Sequence, residues 1–282
     1  MEAEKRCIGV FDSGLGGLTV VRRLMEELPG ENIVYLGDSA RVPYGTKSAD
    51  TVRRFASDDA AFLMRFSPKL IVVACNTATA YALDYLGQTL DVPAIGVIEP
   101  GARQALQFAD GGPVGVIATE GTIASGAYQR ALQALSPGRV VLTGSCPLLV
   151  PIVEEGRDES DPIVLAVLSD YLRELQRARP SVLILGCTHY PLLSRAIGKL
   201  MGPHVRLIDS GQATALAVKR HLEEHGLCSP CRSGGRLHCY STDNPNRFGV
   251  VAERFLGRPV ETVRLVGTDE LATPAAAKQD SP

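Results

Sequence analysis

Ile71-Val72-Val73-Ala74-Cys75-Asn76-Thr77 and, about 110 positions further on, Leu183-Ile184-Leu185-Gly186-Cys187-Thr188-His189 are two versions of one pattern. Each is an unbroken apolar run of the kind a fully buried parallel strand shows, and each stops at a cysteine followed by a small polar residue. Helical patterning resumes at once, through Ala78-Thr79-Ala80-Tyr81-Ala82-Leu83 in the first case and Pro191-Leu192-Leu193 in the second. A thiol between a strand end and a helix start stands where open α/β sheets place ligand sites, and helix N-terminal N–H groups there lower a thiol pKa from about 8.5. One such cysteine would be unremarkable, since cysteine is among the most buried residue types. Two in matching contexts read as a working pair.

Outward from these strings the chain alternates strand and helix. A strand over 7–11 ends at Asp12-Ser13-Gly14-Leu15-Gly16-Gly17 and opens a helix over 18–28; a second strand, 32–36, ends at Gly37-Asp38-Ser39 and leads to a loop holding Arg41 and Pro43-Tyr44-Gly45. An amphipathic helix over 48–66, the cysteine strand 70–74 and a fourth strand 94–98 closing at Glu99-Pro100-Gly101 complete a βαβ series with a parallel sheet. The later half repeats it. Val114-Gly115-Val116-Ile117 echoes Ile8-Gly9-Val10-Phe11, Val140-Val141-Leu142-Thr143-Gly144 echoes Ile33-Val34-Tyr35-Leu36-Gly37, the second cysteine block echoes the first, and Ile208-Asp209-Ser210-Gly211 echoes Ile98-Glu99-Pro100-Gly101. Four blocks in the same order signal a duplication.

The expected fold is therefore α/β, with two pseudo-symmetric, doubly wound lobes of mainly parallel sheets. Their strand ends meet at one cleft, which receives Cys75 and Cys187. Residues 1–97 with 207–266 form the first lobe and 98–206 the second. A helix over 213–225, an irregular stretch over 226–235, a strand over 236–241 and a helix over 244–256 follow, and the polar, Ala/Pro-rich 267–282 is expected to be a frayed tail.

With 282 residues, 45% of them apolar, the chain can bury one large or two ordinary α/β cores. A formal charge of −2 leaves no electrostatic footprint for nucleic acid or an anionic membrane, so a small molecule is the expected partner. Neither a signal peptide nor a membrane-spanning run is visible. A cytoplasmic protein is expected, its seven cysteines held as thiols.

Other constellations compete for a role. The glycine-rich turn after Asp12 invites a dinucleotide reading with Asp38 as the ribose acid, but Thr19 occupies the third glycine position and Asp12 would face a pyrophosphate. The alternative has Asp12 and Ser13 contact a charged amine and a proton-transfer group, while the glycines allow tight turning. His189, two residues from Cys187, suits a base, acid or electrostatic partner. Cys228-x-x-Cys231 with His238 and Cys239 carries zinc-type ligands, yet two adjacent ligands on a strand face opposite ways, which favours a plain surface loop. Glu154-Glu155 alone reads as a solvated turn. No lysine lies in a strand-end motif, which argues against a pyridoxal Schiff base.

Phe11-Asp12-Ser13-Gly14-Leu15-Gly16-Gly17-Leu18-Thr19-Val20, Pro43-Tyr44-Gly45, Ala74-Cys75-Asn76-Thr77-Ala78-Thr79-Ala80 and Leu185-Gly186-Cys187-Thr188-His189-Tyr190-Pro191-Leu192-Leu193 resemble the signature blocks of the cofactor-independent glutamate racemases of the aspartate/glutamate racemase superfamily. The resemblance runs over roughly residues 7–256, in family order. It implies that Cys75 and Cys187 are the acid and base, that Asp12 assists the first thiol, and that Glu154 and His189 assist the second. Substrate contacts would fall to Asp12, Ser13, Tyr44, Gly45, Asn76, Thr77, Thr188 and His189. No cofactor and no metal are implied; glutamate is the substrate, peptidoglycan precursors the destination of its D form, and a homodimer the expected assembly. Inverting Cα needs one group on each face, and donors near Thr77, Thr119 and Thr188 should neutralise the substrate carboxylates. Aspartate or hydantoin racemisation, a non-catalytic amino-acid-binding protein and a nucleotide-binding oxidoreductase are the rival readings.

Overall fold

The computed structural model describes residues 6–272. The first lobe begins with β1 (Ile8–Asp12), α1 (Leu18–Glu27), β2 (Ile33–Gly37), α2 (Ala49–Met64), β3 (Leu70–Val73), α3 (Asn76–Thr89) and β4 (Ala94–Gly96). α4 (Ile98–Phe108) crosses to the second lobe, built from β5 (Val114–Ala118), α5 (Glu120–Ala124), α6 (Ala127–Leu135), β6 (Val141–Ser145), α7 (Leu149–Glu154), α8 (Pro162–Ala178), β7 (Val182–Gly186), α9 (Ser194–Met201) and β8 (Arg206–Asp209). α10 (Ser210–Glu224) returns the chain to the first lobe, which ends with β9 (Leu237–Ser241), α11 (Pro245–Leu256), β10 (Val263–Leu265) and α12 (Thr268–Leu271).

All strand pairings are parallel. One sheet has the order β10-β9-β2-β1-β3-β4 and the other β6-β5-β7-β8. The run β2-β1-β3-β4 and the whole second sheet thus share one topology, as the internal repeat predicts, with β1 and β5 at equivalent central places. β1, β3, β5 and β7 are buried throughout and apolar except for Asp12 at the end of β1, because helices cover both faces. One hydrophobic cluster under α1, α10 and α11 continues from the first sheet through Ile117 and Leu185 into the second lobe, while separate clusters fill the space beneath α2 and α3 and beneath α4 and α6. The lobes therefore share a core, with α10 packed against both α1 and α4.

The structure departs from the sequence reading in four places. β4 stops at Gly96, and Ile98 to Gly101 open α4, where Pro100 falls in the first turn and its missing N–H leaves no bond unmade. Leu185 pairs with Asp209 where Val73 pairs with Gly96, so the fourth block of the repeat is out of register. β8 hydrogen-bonds to β7, which carries the second sheet past residue 206 to Asp209. Residues 267–272 are not frayed: α12 buries Leu271 in the cluster under α2, beside Val266. The rest of the expected tail lies outside the described residues. Among those residues no helix is long and apolar enough to cross a membrane.

Candidate active site

The carboxyl ends of both sheets converge on a cavity of about 290 Å³. Its wall includes Ser13, Tyr44, Gly45, Cys75, Asn76 and Thr77 from the first lobe, and Thr119, Glu154, Cys187, Thr188 and His189 from the second. Eleven of the twelve residues singled out in the sequence thus line one space. Asp12 is the exception. It is buried behind Ser13, with Oδ2 accepting the Gly14 N–H at 3.2 Å and Oδ1 without a protein partner.

Cys75 caps α3, its Sγ accepting the Ala78 N–H at 3.4 Å and lying 3.7 Å from Ser13 Oγ. The helix start was expected to lower this thiol's pKa, but burial pushes it up to about 12, with the neighbouring Asp12 charge adding to the rise. One N–H and one hydroxyl do not offset the loss of water around a thiolate. Burial also raises the Asp12 carboxyl above its ordinary range, with the His189 charge pulling the other way.

Cys187 sits at the matching position after β7, with Sγ 3.9 Å from His189 Nδ1. The other ring nitrogen, Nε2, is 2.9 Å from Glu154 Oε1 at the end of α7. Phe255 packs edge-on against the imidazole at 5.1 Å. Burial by itself would lower the His189 pKa, yet the contacts with Cys187 and Glu154 outweigh it and carry the ring up to about 10. His189 is then an imidazolium at neutral pH and donates from both nitrogens, one towards the Cys187 sulfur and one towards the carboxylate.

The glycine-rich turn has a packing explanation. A Cβ on Gly16 would collide with Thr188 Oγ1 and His189 Nδ1, and one on Gly17 would lie 2.5 Å from Asp12 Cβ. Thr19, placed where a dinucleotide fingerprint wants glycine, donates its hydroxyl to Thr188 O at 2.9 Å. The turn therefore brings the first lobe into contact with the backbone that carries Cys187.

The cavity wall also carries donors without a full charge. Thr77, Thr119 and Thr122 form a triangle of hydroxyls at 2.9, 3.0 and 3.0 Å that joins α3 to the start of α5. Tyr128 Oη donates to Asn76 Oδ1 at 2.7 Å, which fixes the amide and leaves Nδ2, its donor, without a protein partner. Among the described residues no lysine or arginine lines the cavity. Thr122 and Tyr128 carried no signal in the sequence beyond their residue type. Elsewhere, all seven cysteines are unpaired, and Cys228 and Cys231 sit at the surface while Cys239 is buried in β9. Among the described residues no three His, Cys, Asp or Glu side chains are grouped to hold a metal.

A profile of the Asp/Glu/hydantoin racemase family matches residues 8–218. A glutamate racemase of Geobacter metallireducens is 48% identical over 89% of this chain and 93% of its own length. One from Thermus thermophilus is 48% identical over 96% of this chain and 100% of its own. Among solved structures, a Francisella tularensis glutamate racemase in complex with D-glutamate superposes with a TM-score of 0.87 at 39% identity, covering 94% of this chain and 99% of that one. With the fold, the paired cysteine strands and these similarities in agreement, the chain belongs to the Asp/Glu/hydantoin racemase family.

Proposed function

We propose that this chain interconverts L- and D-glutamate by moving the Cα proton between two thiols, Cys75 and Cys187. The observation that carries the reading is that equivalent strands of two four-stranded units of the same topology, β2-β1-β3-β4 and β6-β5-β7-β8, each deliver a cysteine to the same cavity. In one direction the Cys187 thiolate takes the Cα proton and becomes a thiol, while the Cys75 thiol gives its proton to the other face of the carbanion and becomes a thiolate; the reverse reaction exchanges the roles. Asp12 assists Cys75. His189, held by Glu154, supplies a positive charge beside the Cys187 sulfur and so favours its thiolate form. No cofactor and no metal enter these steps.

Glutamate is chosen over aspartate or hydantoins because chains 48% identical to this one are glutamate racemases, and a glutamate racemase of similar fold is solved with D-glutamate. Its carboxylates meet neutral donors: the Asn76 amide, the hydroxyls of Thr77, Thr119 and Thr188, and the N-terminal N–H groups of α3. Tyr44 takes part through the backbone of the Tyr44-Gly45 wall. The product would feed peptidoglycan precursors, in the cytoplasm and from a homodimer, the last of which light scattering checks directly. The main test is circular dichroism of L-glutamate and, separately, L-aspartate with purified, pyridoxal-free protein in EDTA. Loss of the glutamate signal is expected. An unchanged signal would leave an amino-acid-binding protein, and activity restored only by zinc or pyridoxal phosphate would contradict the mechanism.

A further inference from the structure

Behind the Pro43-Tyr44-Gly45 wall lies a cluster of ionisable groups that the two-thiol scheme does not use. Arg41 reaches three carboxylates at once: Nε is 2.6 Å from Asp38 Oδ2, Nη1 is 2.7 Å from Asp58 Oδ2 and Nη2 is 2.9 Å from Asp59 Oδ1. Its guanidinium lies over the Phe55 ring at 4.3 Å. The Tyr44 hydroxyl points away from the cavity into this cluster, between Asp38 Oδ2 at 2.5 Å and Asp59 Oδ2 at 2.9 Å. Thr242 donates to the remaining oxygen of Asp38 at 3.0 Å. The side chains of Asp38 and Asp59 are 0% exposed, and that of Asp58 is 22% exposed.

The charges do not balance if every carboxylate is ionised, since three anions would then face one guanidinium with two of them out of reach of water. The hydrogen bonds do not balance either. A phenol has one proton, so between two carboxylates it satisfies one and presents a bare oxygen to the other. One more proton resolves both difficulties. Placed on Asp59 Oδ2, it donates to Tyr44 Oη, which donates to Asp38, while Asp59 Oδ1 still accepts from Arg41 and the partly solvated Asp58 keeps its charge.

We propose that Asp59, which does not touch the cavity, is a positioning residue that carries a proton, donates it in a hydrogen bond to the Tyr44 hydroxyl and, with Arg41, fixes the Tyr44-Gly45 wall of the substrate site. Burial, reinforced by the charge of Asp38, raises the Asp59 carboxyl well above the ordinary carboxylate range, in keeping with that proton. The wall has little freedom to adjust, because a Cβ on Gly45 would stand 2.8 Å from Thr119 Cβ and one on Gly121 would stand 2.8 Å from Gly45 O. A loosened Tyr44 would therefore be felt at Thr119 and in the hydroxyl triangle beyond it. The effect on catalysis rests on the racemase reading, whereas the proton does not.

Two measurements test the proposal. Infrared difference spectra of wild type against Asp59→Asn, at neutral pH, should show the carbonyl-stretch band of one protonated carboxylic acid lost in the variant. Asp59→Asn should also keep KM and kcat within about threefold of wild type, because the amide donates to Tyr44 and accepts from Arg41 as the protonated acid does. Arg41→Lys retains the charge but cannot bridge three carboxylates, so it should raise KM for glutamate about tenfold or more with a smaller change in kcat. Absence of the protonated-acid band, or a folded Asp59→Asn with tenfold weaker substrate binding, overturns the proposal. A wild type that shows the band but does not racemise glutamate would sink the functional reading and leave the proton on Asp59 established.

Discussion

The two halves of the active site begin from equivalent strands and end in opposite electrostatics. Around Cys75 stand an N–H, a hydroxyl and the buried carboxylate of Asp12, and burial holds the thiol in its protonated form. Around Cys187 the imidazolium of His189 is backed by Glu154. Duplicated backbone gives a near-symmetric placement of two thiols, and diverged neighbours give each a different charged surrounding. A two-base racemase needs both features: one side must start as an acid and the other as a base.

The harshest way to break the comparison is to remove a thiol. Cys75→Ala and Cys187→Ala should each abolish racemisation, with losses on the order of 10⁴ or more in kcat, since neither half can do the other's work. Steady-state polarimetry from both enantiomers reads this out. Residual activity within tenfold of wild type in either variant would show that one thiol is dispensable.

Removing the cation sharpens the contrast. His189→Asn should lower kcat/KM by roughly 10²-fold, and Glu154→Gln, which leaves the imidazole in place, by less. Because enantiomers have equal free energies, kcat/KM must fall equally in the two directions. The asymmetry should instead appear as a larger Cα-deuterium isotope effect in the direction that uses Cys187 as base.

The same histidine predicts a pH dependence of stability. Its folded pKa, near 10, lies above its ordinary value near 6.5, so the stability it contributes is fully present below about pH 6.5 and is lost as pH rises through about 10. Denaturant midpoints of wild type and His189→Asn should therefore differ most in mild acid and converge above pH 10. A constant gap across that range would mean that the ring is not held charged by Cys187 and Glu154.

Smallest of all is Thr122→Val, which opens the hydroxyl triangle without touching either thiol. A stability loss of about 0.5–1.5 kcal/mol and a KM rise of a few-fold, with kcat little changed, are expected from thermal melts and kinetics.

Much of this architecture could be read from residues alone, and the parts that could not share a physical cause. Strand-end cysteines and the four-block repeat are local patterns, and they led to the two sheets and the shared cleft. The role of the glycines was not local: Gly16 must be bare because Thr188 and His189, far away in sequence, press against it. Asp12 was expected at the substrate, yet it is the buried last residue of β1, and Ser13 lines the cavity instead. Tyr44 was expected at the substrate, but its hydroxyl finds Asp38 and Asp59 behind the wall. β10 has three residues and α12 four, too short for any periodicity to announce them.

The central claim is that each face of Cα is served by its own thiol, and hydrogen exchange at early conversion tests it most directly. With L-glutamate in D₂O, the D-glutamate formed first should carry deuterium at Cα, while the remaining L-glutamate stays largely protiated. The reverse reaction should behave in the same way. Deuterium entering substrate and product pools together from the start would mean a single base working both faces, and would contradict the account.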